Sequence, residues 1–257
     1  MDNSSALPPA AQPLSIMSTA GSQVVLPCSW KPHQAEVGPS SCHVQWVSPP
    51  FTVFEQNSED KWQQERFDGR LEVPTVKLQA GDCSLIIKDA QIEDTGRYES
   101  FMVVGGARSM KTRVFIQSVK LSVTDNKSWD SHHPGEDFVL ELHTRLSFTV
   151  VFQGRNNSAW QELWKRGDEN SERVEKHPVL EQLTIKKLRR SDEGIYKVLN
   201  ENGLSVSTVQ LSVTENSPSF SAHRKQENVP TGEAAKSSCS ALLIVSLLVL
   251  SFQIHRH

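Results

Sequence analysis

Two segments of this 257-residue chain carry the same signature. Asp94-x-Gly96-x-Tyr98 and Asp192-x-Gly194-x-Tyr196 stand 98 residues apart. Each follows an alternating apolar run, Ser84-Leu85-Ile86-Ile87-Lys88 before the first and Leu183-Thr184-Ile185-Lys186-Lys187-Leu188 before the second. Alternation of period two places the apolar side chains on one face of a β-strand. The Asp-x-Gly-x-Tyr that follows is a tyrosine corner: the phenol folds back onto backbone a few residues upstream, and glycine permits the tight turn. A repeat of this length is one domain's worth of chain, so the sequence divides into two similar domains rather than one large one.

Other residues fit the same frame. Val24-x-Leu26-x-Cys28 alternates, as does Cys42-His43-Val44-Gln45-Trp46-Val47, and 52 residues separate Trp46 from Tyr98. Together with the two corners they resemble a tandem pair of immunoglobulin-superfamily domains. The resemblance implies an all-β fold: two tandem immunoglobulin-like β-sandwiches followed by a disordered stalk and a C-terminal hydrophobic segment. The expected parts are a disordered N-terminus (1–20), a variable-type domain (21–124), an immunoglobulin-like domain without a disulfide (125–214), a stalk (215–238) and a membrane segment or anchor signal (239–257). Trp46 then takes the place of the core tryptophan of strand C, Phe51–Glu55 and the region of Trp62 read as strands C′ and C″, and Arg70 is expected to pair with Asp94.

The cysteines depart from the family's pattern. Cys28 stands in the B-strand position, but its usual F-strand partner is replaced by Ser100. Cys42 opens strand C and Cys83 opens strand E, at one end of the sandwich, so a Cys42–Cys83 bridge is the first expectation. Cys28–Cys83 is the rival, because strands B and E are neighbours. In domain 2, Leu142 and Val198 occupy both cysteine positions, and Gln161-Glu162-Leu163-Trp164-Lys165-Arg166-Gly167 resembles a C′ strand. That combination is similar to the disulfide-free domains of the lymphocyte-activation (SLAM-like) receptors and their ligands.

The ends concern the membrane. Cys239 to Ile254 is an uncharged, strongly apolar run of 16 residues, about 24 Å as a helix and short of the roughly 30 Å hydrocarbon core. It reads either as a short spanning helix with His255-Arg256-His257 inside, or as the tail of a glycolipid-anchor signal preceded by small residues and a polar spacer. Met1–Gly21 is polar and holds no apolar leader segment, so either the start is incomplete or the protein reaches the surface by another route; the apolar end favours the first. Asn3, Asn126 and Asn156 head Asn-x-Ser/Thr acceptors for glycan.

Chemistry is not expected. No nucleophile elbow, phosphate-binding loop or His-Glu-x-x-His motif occurs, so the chain is not read as an enzyme and no cofactor or metal is implied. His132-His133 with Glu136-Asp137 reads as a solvated loop, and Lys186-Lys187-Leu188-Arg189-Arg190 as strand-edge charge. The net charge of −3 gives no reason to expect nucleic acid. What remains is a membrane-anchored cell-surface glycoprotein, acting in cell–cell adhesion or immune receptor–ligand recognition through domain 1, with a homophilic or heterophilic cell-surface protein as partner. Phe54, Trp62 and Phe101 are the candidate contact residues, with ordinary core or C′-edge packing as the alternative for Phe54 and Trp62. The rival class is an intracellular scaffold built of immunoglobulin modules; the missing leader and missing disulfides fit it, and the apolar tail opposes it.

Overall fold

The computed structural model describes residues 13–37, 43–58, 60–105 and 111–215. Asn3, Cys42, most of the expected stalk and the apolar run lie outside them. Among the described residues no helix is long and apolar enough to cross a membrane.

The first half forms β1 (Leu14–Thr19), β2 (Val24–Leu26), β3 (Val44–Ser48), β4 (Phe51–Gln56), β5 (Lys61–Gln63), β6 (Leu71–Glu72), β7 (Leu85–Ile87), β8 (Gly96–Gly105) and β9 (Lys111–Thr124). They make a six-stranded sheet in the order β1-β9-β8-β3-β4-β5, faced by a three-stranded sheet β2-β7-β6. The pleat decides the core. Tyr98, Ser100 and Met102 are fully buried on β8, while Arg97, Glu99 and Phe101, which alternate with them, point the other way. Trp46, from β3, is fully buried and donates its indole N–H to the carbonyl of Cys83, 3.0 Å away in the opposite layer.

The second half repeats the plan with β10 (Asn126–His132), β11 (Phe138–Glu141), β12 (Ser147–Gly154), β13 (Gln161–Lys165), β14 (Val174–Lys176), β15 (Gln182–Ile185), β16 (Gly194–Asn200) and β17 (Ser205–Val213). Its sheets run β10-β17-β16-β12-β13 and β11-β15-β14. Leu142 and Val198 are both fully buried, so apolar packing stands where a bridge would have been. Strand β12 has no tryptophan; Trp164 on β13, opposite Val150, enters the core instead. Phe138 meets Tyr196 edge to face at 5.5 Å.

Both corners form as expected. The Tyr98 hydroxyl donates to the Asp94 carbonyl and the Tyr196 hydroxyl to the Asp192 carbonyl, each at 2.7 Å. Burial, and then the neighbouring carboxylate, push both phenols far above their ordinary pKa, so they stay donors. Arg70 grips both Asp94 oxygens at 2.6 and 3.1 Å. Domain 2 has the matching pair, Arg173 to Asp192 at 2.6 Å.

Two expectations are corrected. The stretch 1–20, expected to be disordered, contains strand β1, which pairs in parallel with β9 from Leu14↔Val119 to Thr19↔Thr124. No alternation betrayed it, because none of the six residues of this edge strand is fully buried and the apolar Leu14 and Met17 stay exposed. The first-choice Cys42–Cys83 bridge is also wrong: Cys83 is bonded to Cys28, with Cα atoms 4.9 Å apart. Strands β2 and β7 pair directly, and the bridge Ser29↔Asp82 brings the two cysteines side by side. The bond therefore lies within one sheet, not between the two.

The domains are joined by Asp125 alone, between β9 and β10, and locked by side chains. Gln91 donates to the Thr144 hydroxyl at 3.0 Å, and that hydroxyl donates to Asp89 at 2.9 Å. Glu93 accepts from Asn200 and from Asn202, the latter at 2.9 Å. Gly21 has φ +81°, and a Cβ there would stand 2.3 Å from the carbonyl oxygen of His143.

Peptide mapping is expected to recover Cys28 linked to Cys83, and replacing both by serine to cost about 2–4 kcal/mol of stability. Gly21→Ala is expected to destabilise by at least about 2 kcal/mol, read by chemical denaturation, since strain and a backbone collision combine. Gly69→Ala is the control: it has φ +70° but nothing within 4 Å, so only about 1 kcal/mol of left-handed strain is expected.

Candidate binding face

In domain 1 the outer face of the six-stranded sheet carries one continuous row of side chains. Backbone pairing aligns Phe115 (β9) with Phe101 (β8), Phe101 with Gln45 (β3), Gln45 with Glu55 (β4), and Glu55 with Trp62 (β5). Residues opposite one another across strands share a face. The neighbouring rank in each central strand, Ser100, Trp46 and Phe54, faces inward and is fully buried. Phe115 is 45% exposed and Trp62 49%, at opposite ends of the row. Phe101 is half-buried beneath Phe115, ring centroids 5.7 Å apart and edge to face.

The middle of the row is polar and ordered. Arg113 donates to Oε1 of Gln45 at 3.1 Å, and its guanidinium lies 5.1 Å from the Phe101 ring centroid. Nε2 of Gln45 donates to Glu55 at 3.2 Å, and the imidazole of His43 meets the other oxygen of Glu55 at 2.6 Å. The Gln45 amide thus has a cation on its oxygen and a carboxylate on its nitrogen. Exposed aromatics beside held charged groups are what an interface centre needs, since little side-chain entropy remains to be lost on binding.

Of the candidate contact residues, Trp62 and Phe101 lie on this face. Phe54 does not: it is fully buried opposite Trp46, a correction that follows from strand parity, because Glu55 is the outward residue of the pair. Phe115, Arg113 and Glu55 were not among the candidates. The alternation Arg113-Val114-Phe115-Ile116-Gln117 held the signal for two of them, since Val114 and Ile116 are more buried than the residues between them.

The glycan acceptors separate as well. Asn126 sits half-buried in the domain joint, where its amide nitrogen donates to the carbonyls of Ala20 and Val206 at 2.9 and 3.3 Å. Both amide hydrogens are used, and a glycan would displace one. Asn156 is exposed between β12 and β13 in domain 2. No acceptor sequence falls between residues 13 and 125, so the aromatic face bears none. His132 lies between Asp130 and Glu136, at 3.2 and 3.3 Å, on the domain 2 surface.

Residues 11–124 match the family model of the immunoglobulin V-set domain. The structure is similar to the human B7-H4 IgV-like domain, with 20% identity over 44% of this chain and 94% of that one and a TM-score of 0.34. It is similar to murine CRIg, with 22% identity, the same two coverages and a TM-score of 0.34. No curated protein matches the chain in sequence.

Glycopeptide mass spectrometry of protein secreted by mammalian cells is expected to find glycan at Asn156 and unmodified Asn126. Full occupancy of Asn126 would show that the joint opens before or during modification.

Proposed function

We propose that this chain, which carries an immunoglobulin V-set domain at residues 11–124, is a cell-surface recognition protein of the adhesion or immune receptor–ligand kind. It binds a partner protein through the outer face of the six-stranded sheet of domain 1. The observation that carries the reading is the row from Phe115 to Trp62: two aromatic ends around a held polar centre, with no glycan acceptor in the domain. A patch of this make-up on one face of a sandwich suits a protein surface better than a small molecule, because it is a flat array of side chains across five strands rather than a cavity. The second domain, fixed to the first through the Gln91–Thr144 and Glu93–Asn202 contacts, serves as a spacer. The C-terminal segment 239–257, with its apolar run 239–254, supplies the membrane attachment, by lipid anchor or spanning helix. The disulfide Cys28–Cys83 suits an oxidising, extracellular setting and weighs against the intracellular scaffold.

Cells expressing the full chain behind a supplied secretory leader are expected to stain at the surface and to form conjugates with blood leukocytes, scored by two-colour cytometry. Phe115→Ser and Trp62→Ser alter exposed residues and are expected to lower conjugation at least about fivefold, with surface display unchanged. Absence of surface staining, or conjugation untouched by both substitutions, would overturn the proposal.

A further inference from the structure

Resting on the face just described, we infer that its partner includes a second copy of this chain, docked face to face about a two-fold axis that passes beside Gln45. The row is balanced about strand β3. One strand away on one side is Phe101, with the Arg113 guanidinium over it; one strand away on the other is Glu55. Two strands away stand Phe115 and Trp62, the exposed aromatics. The Gln45 amide marks the centre, with the cation on its oxygen and the carboxylate on its nitrogen.

A two-fold axis makes each patch its own complement: what residue i does to residue j, j does to i. Turning one face onto another about the β3 direction places Arg113 of each copy against Glu55 of the other, twice. It also places the Phe101–Phe115 pair of each copy against Trp62 of the other. No other axis in the plane of the sheet exchanges the two ends of a row that runs across the strands. The axis parallel to the strands also leaves both copies pointing the same way, so the pair forms between neighbours on one membrane. Glu55 already accepts from Gln45 and His43, and a carboxylate retains acceptor capacity beyond two such bonds.

The area sets the strength. Five strands about 4.8 Å apart, paired over some six residues, give roughly 400–500 Å² of flat face per copy, so the pair buries on the order of 1,000 Å², at the weak end for specific contacts. The dimer is therefore expected to depend on the density of chains at the surface, and to compete with any partner that uses the same face.

The test is energy transfer between donor- and acceptor-labelled full chains co-expressed on one insect cell at matched surface density. Wild type is expected to give a density-dependent signal. Arg113→Glu alone and Glu55→Arg alone set like charges opposite each other twice, and each is expected to weaken pairing at least about tenfold. Donor-labelled Arg113→Glu with acceptor-labelled Glu55→Arg restores both contacts and is expected to recover the signal, which also shows that both variants fold. If wild type gives no signal while leukocyte conjugation persists, self-association is overturned and the recognition reading stands. If wild type pairs but the mixed swap does not recover, the two-fold docking is overturned. Loss of both self-association and conjugation removes both readings.

Discussion

The buried carboxylate of Asp94 is the fixed point of this structure. It is 2% exposed, so its charge must be met inside the protein. Arg70 meets it with two nitrogens, the backbone N–H of Gln91 donates at 2.8 Å, and its own carbonyl takes the Tyr98 hydroxyl. These contacts tie β6, the corner and β8, and so pin the two sheets of domain 1 at one end. Removing a partner from such a cluster leaves an unmatched buried charge, the costly case, typically about 3–5 kcal/mol. The same corner also faces domain 2: Asp89, Gln91 and Glu93 supply the side chains that meet Thr144, Asn200 and Asn202. One local motif therefore organises both the domain and its joint. Its copy in domain 2 holds Asp192 in the same way, at the opposite end from the joint.

This arrangement separates duties along domain 1. The corner and Gly21 belong to the joint, and the row from Phe115 to Trp62 lies on the outer sheet surface. Substitutions on the row leave the Asp94 cluster intact, which makes the face free to vary in sequence while the scaffold stays the same.

Local patterns were legible in the sequence; long-range ones were not. The corners could be read because donor, acceptor and turn lie within a few residues. Trp46 and the Leu142/Val198 pair could be placed because strand alternation fixes which side chains face inward. Strand β1 was missed because its pairing partner, β9, is some hundred residues away and its apolar residues mark no buried face, Leu14 and Met17 both remaining exposed. Phe54 was placed on the wrong side because Val53 and Phe54 are both buried, and consecutive apolar residues do not reveal their parity. The joint left no signature at all: Thr144 and Asn202 are ordinary loop and turn residues and Asn200 an ordinary strand end until the fold brings them to Gln91 and Glu93 of domain 1.

The position of the disulfide changes how the sheets of domain 1 are held. A bond between facing sheets would couple them covalently; Cys28–Cys83 couples only neighbouring strands of the smaller sheet. Ser100, fully buried in the vacated position, turns instead toward the carbonyl of Gln117 in its own sheet, at 3.4 Å. A direct polar link through the middle of the core is the Trp46 indole, which donates to the carbonyl of Cys83. The disulfide fixes Cys83, and Cys83 fixes the acceptor for Trp46, so the two act in series. Trp46 in turn sits on β3 beside Gln45, the centre of the outer row. The bond that secures the inner sheet thus also steadies the strand on which the candidate interface is built.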